Sequence, residues 1–293
     1  MTPIEPPAVR TPLTRQPARA ARRRLIATGG AVALAVVAAV VAACADVSSS
    51  PETPASIEMA NFPFPSIVLG DTLRDVNGVV APVRAIVRNS AGDTLTGAGT
   101  RYLYADYNRD SALLVDSTTG IVFAKKAVAS EARIAARVGG ALQAIGKLVV
   151  TVRPDTVSAV RGSRELTTQF PDTGRTKANA NTTDPLSVSV QNLESTSPTG
   201  VNGWVVRFTL LRPANPTNDT TQAAWLVNDA GTASVIDTTD NGGGAGRKVR
   251  VRADRFPTTG TDTVKVQATV TYKGKPVAGS GAIINAVVKR GAS

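Results

Sequence analysis

Histidine is absent from the 293 residues, cysteine occurs once, and aromatic side chains make up 4% of the chain. Each shortage closes off a chemistry. Without imidazole there is no Ser-His-Asp or Cys-His nucleophile and no His-ligated zinc or haem, because those systems need it as base or ligand. A lone cysteine forms no intramolecular disulfide and no cysteine cluster for metal or iron and sulfur. Carboxylate hydrolysis survives, since a glycosidase needs only an acid and a nucleophile. Yet the chain after its cysteine holds just five glutamates, Glu52, Glu58, Glu131, Glu165 and Glu194, scattered along its length. The composition calls for no cofactor and no catalytic residue.

Charge is present but unevenly placed. Residues 1–43 carry six arginines and one glutamate, a net +5, and the remaining 27 basic and 21 acidic residues supply +6 of the total +11. That balance is moderately basic, without the dense clusters and interleaved aromatics of a nucleic-acid binder. No specific nucleic-acid partner is expected.

The first 50 residues carry the clearest signal. Arg22, Arg23 and Arg24 lead into an uncharged run, Leu25–Ala43, rich in Ala and Val and ending Val41-Ala42-Ala43-Cys44. A positive segment, an apolar segment and small residues before a cleavage point make a secretory signal, since the arginines stay on the cytoplasmic side. An aliphatic residue and two small residues before cysteine resemble the bacterial lipoprotein signal, and that resemblance implies a lipid on Cys44. The other reading is an uncleaved anchor, because a run of this length just spans a bilayer. Ala45, in place of the aspartate that retains enterobacterial lipoproteins in the inner membrane, implies the outer membrane. Residues 45–54, rich in small residues and proline, cannot bury enough apolar surface to fold and read as a tether. The expected partner is then the membrane, through the lipid, with envelope polysaccharide or a surface protein as further partners; oligomeric state stays open.

Beyond the tether the pattern is of short strands separated by turn signals, an all-β sandwich signature. Ala127–Val138 fits a helix or a strand pair equally. Leu69-Gly70-Asp71-Thr72, the run Asp116–Lys125 and Ala132–Ala136 resemble the group 2 bacterial immunoglobulin-like domain of invasin and intimin type surface proteins. The resemblance covers roughly residues 55–154 and implies that Asp116 and the following Gly120 turn one core strand into the next. Residues 155–182 are polar and read as a linker with an edge strand near Val157–Val160. Residues 183–290 then read as a second immunoglobulin-like sandwich: Trp204, Val206, Phe208 and Leu210 alternate with Val205, Arg207 and Thr209, and Lys273-Gly274-Lys275 turns the chain back toward Val277.

Four constellations invite a functional reading. Asp106, Asn108 and Asp110 have the spacing that opens an EF-hand loop, but Ser111 and Ser117 stand where that loop needs Gly and Glu. Gly242-Gly243-Gly244-Ala245-Gly246 has amides to cradle a phosphate, or is a hairpin loop. Lys248, Arg250 and Arg252 share one strand face, which either meets an anionic polymer or is solvated. Of the scarce aromatics, Trp204 and Trp225 read as core and Tyr107 as an exposed ligand loop. The expectation is a non-enzymatic, lipid-anchored envelope protein whose immunoglobulin-like domains act as spacers or adhesive modules. A carbohydrate-binding module is the alternative, with a surface hydrolase behind it.

Overall fold

Alternating apolar residues dictate the architecture. The computed structural model describes residues 52–106, 111–128, 131–160, 163–168, 181–252, 255 and 261–290. The Arg22–Cys44 leader, most of the tether, Tyr107, Asn108 and Asp110 lie outside the described residues. Among the described residues there are twenty strands and no α-helix.

The first sandwich contains β1 (Ser56–Met59), β2 (Ser66–Val68), β3 (Ala85–Arg88), β4 (Arg101–Tyr104), β5 (Leu113–Val115), β6 (Val122–Ala124), β7 (Ala132–Val138) and β8 (Leu142–Thr151). One sheet runs β2-β8-β7-β4, with β2 parallel to β8; β1 pairs with β3 and β5 with β6. The four-stranded sheet has the immunoglobulin order of C, F and G with the second part of a split first strand beside the last, and the β1–β3 and β5–β6 ladders supply the remaining strands. Of the ambiguous Ala127–Val138 stretch, Ala132–Val138 forms β7, because pairing with β4 and β8 on both sides overrides local period. Ala132, Ile134, Ala136 and Val138 face the core, while Arg133 and Arg137 face out. Asp116 builds the turn the resemblance implied: its Oδ1 accepts from the Thr118 and Thr119 amides, and Gly120 follows at φ +75°. A Cβ on Gly120 would lie 2.5 Å from the Val83 carbonyl oxygen, so both conformation and space demand glycine there.

The second sandwich repeats the plan with β9 (Thr156–Ala159), β10 (Ser163–Thr168), β11 (Leu186–Asn192), β12 (Thr199–Gly200), β13 (Val205–Arg212), β14 (Ala224–Val227), β15 (Ile236–Thr238), β16 (Gly244–Val251), β17 (Thr261–Thr269), β18 (Thr271–Tyr272), β19 (Lys275–Pro276) and β20 (Ala282–Arg290). One sheet is β10-β20-β17-β13-β15, again with its first strand parallel to its last; the other joins β12, β11, β16 and β14, with β9 beside β11. On β13, Val206, Phe208 and Leu210 are buried and Arg207 exposed, as the alternation requires. Each such large side chain contributes about 1.5–3 kcal/mol by leaving water.

Of residues 155–182, read as a linker with one edge strand, the described ones depart from that reading at Ser163–Thr168. β9 forms where an edge strand was read, and the polar Ser163–Thr168 segment is also a strand, paired with β20. An edge strand needs few core residues because one flank stays in solvent; here Glu165 meets Lys289 across the pair at 2.7 Å. The connection between the sandwiches therefore shortens to Val152–Asp155, and all described residues fall in the compact unit Glu52–Ser293.

Candidate functional site

The densest polar constellation lies where the two sandwiches meet. Lys273 and Gly274, both at positive φ, make the two-residue turn of the β18–β19 hairpin. Its tip rests on the Asp75–Gly78 turn of the first sandwich. A Cβ on Gly78, itself at φ +82°, would sit 2.2 Å from the Gly274 nitrogen, so the two backbones touch only because no side chain intervenes.

Asp71 closes this joint. Its carboxylate accepts hydrogen bonds from the Thr72 amide at 2.8 Å, Arg74 Nη2 at 3.1 Å and Arg74 Nε at 3.2 Å, all within the first sandwich. From the second sandwich it accepts the Tyr272 hydroxyl at 2.9 Å and pairs with Lys273 Nζ at 3.1 Å. The residue is only 9% exposed. Burial pushes its acidity down, yet the hydrogen bonds from Arg74, Thr72, Tyr272 and Lys273 outweigh it and hold the pKa at about 2, against 3.8. Burial and the adjacent Asp71 push the Tyr272 phenol above its ordinary value, and the bond to Asp71 raises Lys273.

An aromatic seam and a second polar knot flank the clasp. The Trp204 ring lies 4.7 Å from Phe64 of the first sandwich and 6.0 Å from Tyr272, and its Nε1 donates to the Thr271 carbonyl. At the connection, Asp155 accepts from Asn192 Nδ2 and the Leu193 amide, each at 2.9 Å, and pairs with Arg153 at 2.7 Å. The Asn202 amide donates to Thr151 Oγ1. The cleft left in the seam holds about 30 Å³, roughly a tenth of what an ordinary small-molecule pocket needs. The joint is therefore built to hold the sandwiches together.

The residues singled out in the sequence fare differently. Cys44 and Tyr107 lie outside the described residues. Asp106 accepts from both the backbone amide and the guanidinium of Arg133, which commits the one described member of the EF-hand-like triplet. The Gly242–Gly246 amides are likewise engaged: Asp240 Oδ1 accepts from Gly242 at 2.8 Å and from Gly244 at 2.9 Å, so a carboxylate of the chain fills the cradle. Lys248 and Arg250 lie on the outer face of β16, and Arg252 just past its end. β16 sits between β11 and β14, so its cations guard no sheet edge. Lys248 pairs with Asp229 at 3.1 Å, Arg252 is also partnered, and Arg250 stacks over the Trp225 ring at 5.7 Å. Trp225, read as core, is half-buried on that outer face; Trp204 is buried.

Two features escaped the sequence reading. Arg247 points inward from β16, nearly buried, and pairs with Asp237 of β15 at 2.8 Å, tying one sheet to the other; its place between Ala245 and Val249 on the core-facing parity was the available signal. The other is the clasp itself, whose partners Asp71 and Tyr272 are 201 residues apart.

No family model and no curated relative matches the chain. Among solved structures, the adhesin InvE of Yersinia pseudotuberculosis is 14% identical over 81% of this chain and 58% of that one, with a TM-score of 0.30. The Escherichia coli adhesin FdeC is 14% identical over 80% and 63%, at 0.26, and the D0-D1 domain of intimin 12% over 80% and 97%, at 0.22. The chain thus spans about three fifths of the first two. The immunoglobulin-like assignment rests on the sheet order and parallel first-to-last pairing of this chain's own strands, and not on those overlaps.

Proposed function

We infer that the chain is a non-enzymatic envelope protein, anchored by a lipid on Cys44, whose two immunoglobulin-like sandwiches form a stiff spacer that presents adhesive surface away from the membrane. The observation that carries this reading is the joint. A four-residue connection, a buried carboxylate bonded from both sides and a backbone-to-backbone contact at Gly78 and Gly274 together restrain bending of one sandwich against the other. A freely hinged pair would need none of them, since inter-domain motion is the default where the interface is small. The likeness of residues 55–154 to the group 2 bacterial immunoglobulin-like domain supports the same reading, as does an apolar leader ending at the chain's one cysteine.

Mass spectrometry of membrane-extracted protein tests the anchor. A diacylated N-terminus at Cys44 is expected, lost in Cys44→Ser; an intact N-terminus upstream of Ala43 would refute it. Small-angle scattering tests the spacer: a constant radius of gyration from low to high salt is expected, and expansion with salt would point to a loose hinge. Turnover of an envelope polymer by the purified chain would overturn the non-enzymatic reading.

A further inference from the structure

The outer face of the β14–β16 pair carries an aromatic and cationic couple. Trp225 and Arg250 are directly opposite in the antiparallel register, with Thr182 bridged to Arg250 on its other side. The guanidinium lies 5.7 Å from the indole centroid. Both residues are half-buried, and the contact between them is the stack of the guanidinium on the indole. Lys248, on the same face, is already neutralised by Asp229. An arginine stacked on an aromatic ring offers its N–H edge for planar, bidentate recognition of an anion beside a flat apolar surface.

We propose that Trp225 and Arg250 form a binding site for an acidic polysaccharide, with the indole covering the apolar face of a hexuronate ring and the guanidinium taking its carboxylate. The pairing of cation and ring suits this ligand class, because a uronate carries its carboxylate and an apolar face on one sugar ring. A single-stranded nucleic acid offers a similar pairing of ring and anion, but binders of that kind stack successive bases on several aromatics, and Trp225 stands on this face without another aromatic opposite it. The site deepens the adhesive reading above, and it depends on that reading only for the compartment in which the polymer is met.

The test titrates the full chain in detergent with polygalacturonate, with neutral mannan and an oligodeoxythymidylate as comparisons. Trp204 is buried, so ligand-induced change in tryptophan emission reports Trp225. Polygalacturonate is expected to change the emission and mannan not. Arg250→Gln, read by the same emission, and Trp225→Leu, which lacks the reporter and is read by isothermal titration calorimetry, should each weaken binding by about tenfold or more. Wild-type affinity should fall between low and physiological salt, and in Arg250→Gln that salt dependence should shrink. Should Trp225→Leu fail to fold, the wild-type emission change and Arg250→Gln decide alone. Absence of polygalacturonate binding, binding unchanged by either substitution, or tighter binding of the oligodeoxythymidylate would each overturn the proposal. None of these outcomes alters the scattering result, so failure of the site and failure of the spacer reading are separable.

Discussion

Replacing Asp71 by Asn keeps the shape of the side chain and removes its charge, leaving Arg74, Lys273 and the Tyr272 hydroxyl facing a neutral amide. The cost follows from linkage. A carboxyl held at about 2 in the folded chain and at 3.8 when free contributes about 2 kcal/mol at neutral pH. The sign is that of a depressed acid: the stabilisation is complete above the unfolded value and fades as pH falls from roughly 4 toward 2. Thermal melting by circular dichroism should therefore show Asp71→Asn lower than wild type by about 4–8 °C at pH 7, given about 2–4 °C per kcal/mol for a unit of this size. The gap should narrow toward pH 2, where the wild-type carboxylate is itself about half protonated. Tyr272→Phe in the Asp71→Asn background should add less than it does alone, since both remove one bond. Equal melting of the two proteins at pH 7, or a gap that persists undiminished at pH 2, would refute the reasoning.

Other perturbations separate the joint from the sandwiches. Gly78→Ala drives a Cβ into the Gly274 backbone and should raise the radius of gyration in scattering while leaving β-type circular dichroism intact. Arg247→Ala breaks a largely buried pair and should cost about 2–4 kcal/mol in urea unfolding, whereas Lys248→Ala, whose partner Asp229 is exposed, should cost less than about 1 kcal/mol. At the alkaline end, Lys273 and Tyr272, both raised, lend stability that is present below their unfolded values and lost as pH climbs through the folded ones, so melting should fall above roughly pH 10 and less steeply in Asp71→Asn.

The strands were legible where one face is buried and the other wet. Trp204 to Leu210 and Val264 to Val270 alternate in the sequence as they do in the sandwich, because a period of two is the pleat itself. The Ser163–Thr168 strand was not legible, since an edge strand bonded through its backbone leaves little trace in side-chain pattern. Long-range pairing also escaped. Nothing local to Leu69-Gly70-Asp71-Thr72 marks the carboxylate as a latch for a hairpin two hundred residues later, and the Trp204 position reads as core whether its ring packs within one sandwich or against Phe64 of the other. The basic strip was visible as charge, but the sequence does not distinguish Lys248, which is paired with Asp229, from Arg250, which is stacked on Trp225.

Whether the two sandwiches move as one body is read directly from a distance distribution between them. With Cys44→Ser removing the native thiol, spin labels on cysteines placed at Ser117 in the first sandwich and Lys265 in the second, both exposed, report the inter-sandwich separation by double electron–electron resonance. A single narrow distribution is expected for the otherwise native chain and a broad one when Asp71→Asn and Gly78→Ala are combined. A broad distribution in the native chain, or one unchanged by that pair of substitutions, would contradict a rigid joint.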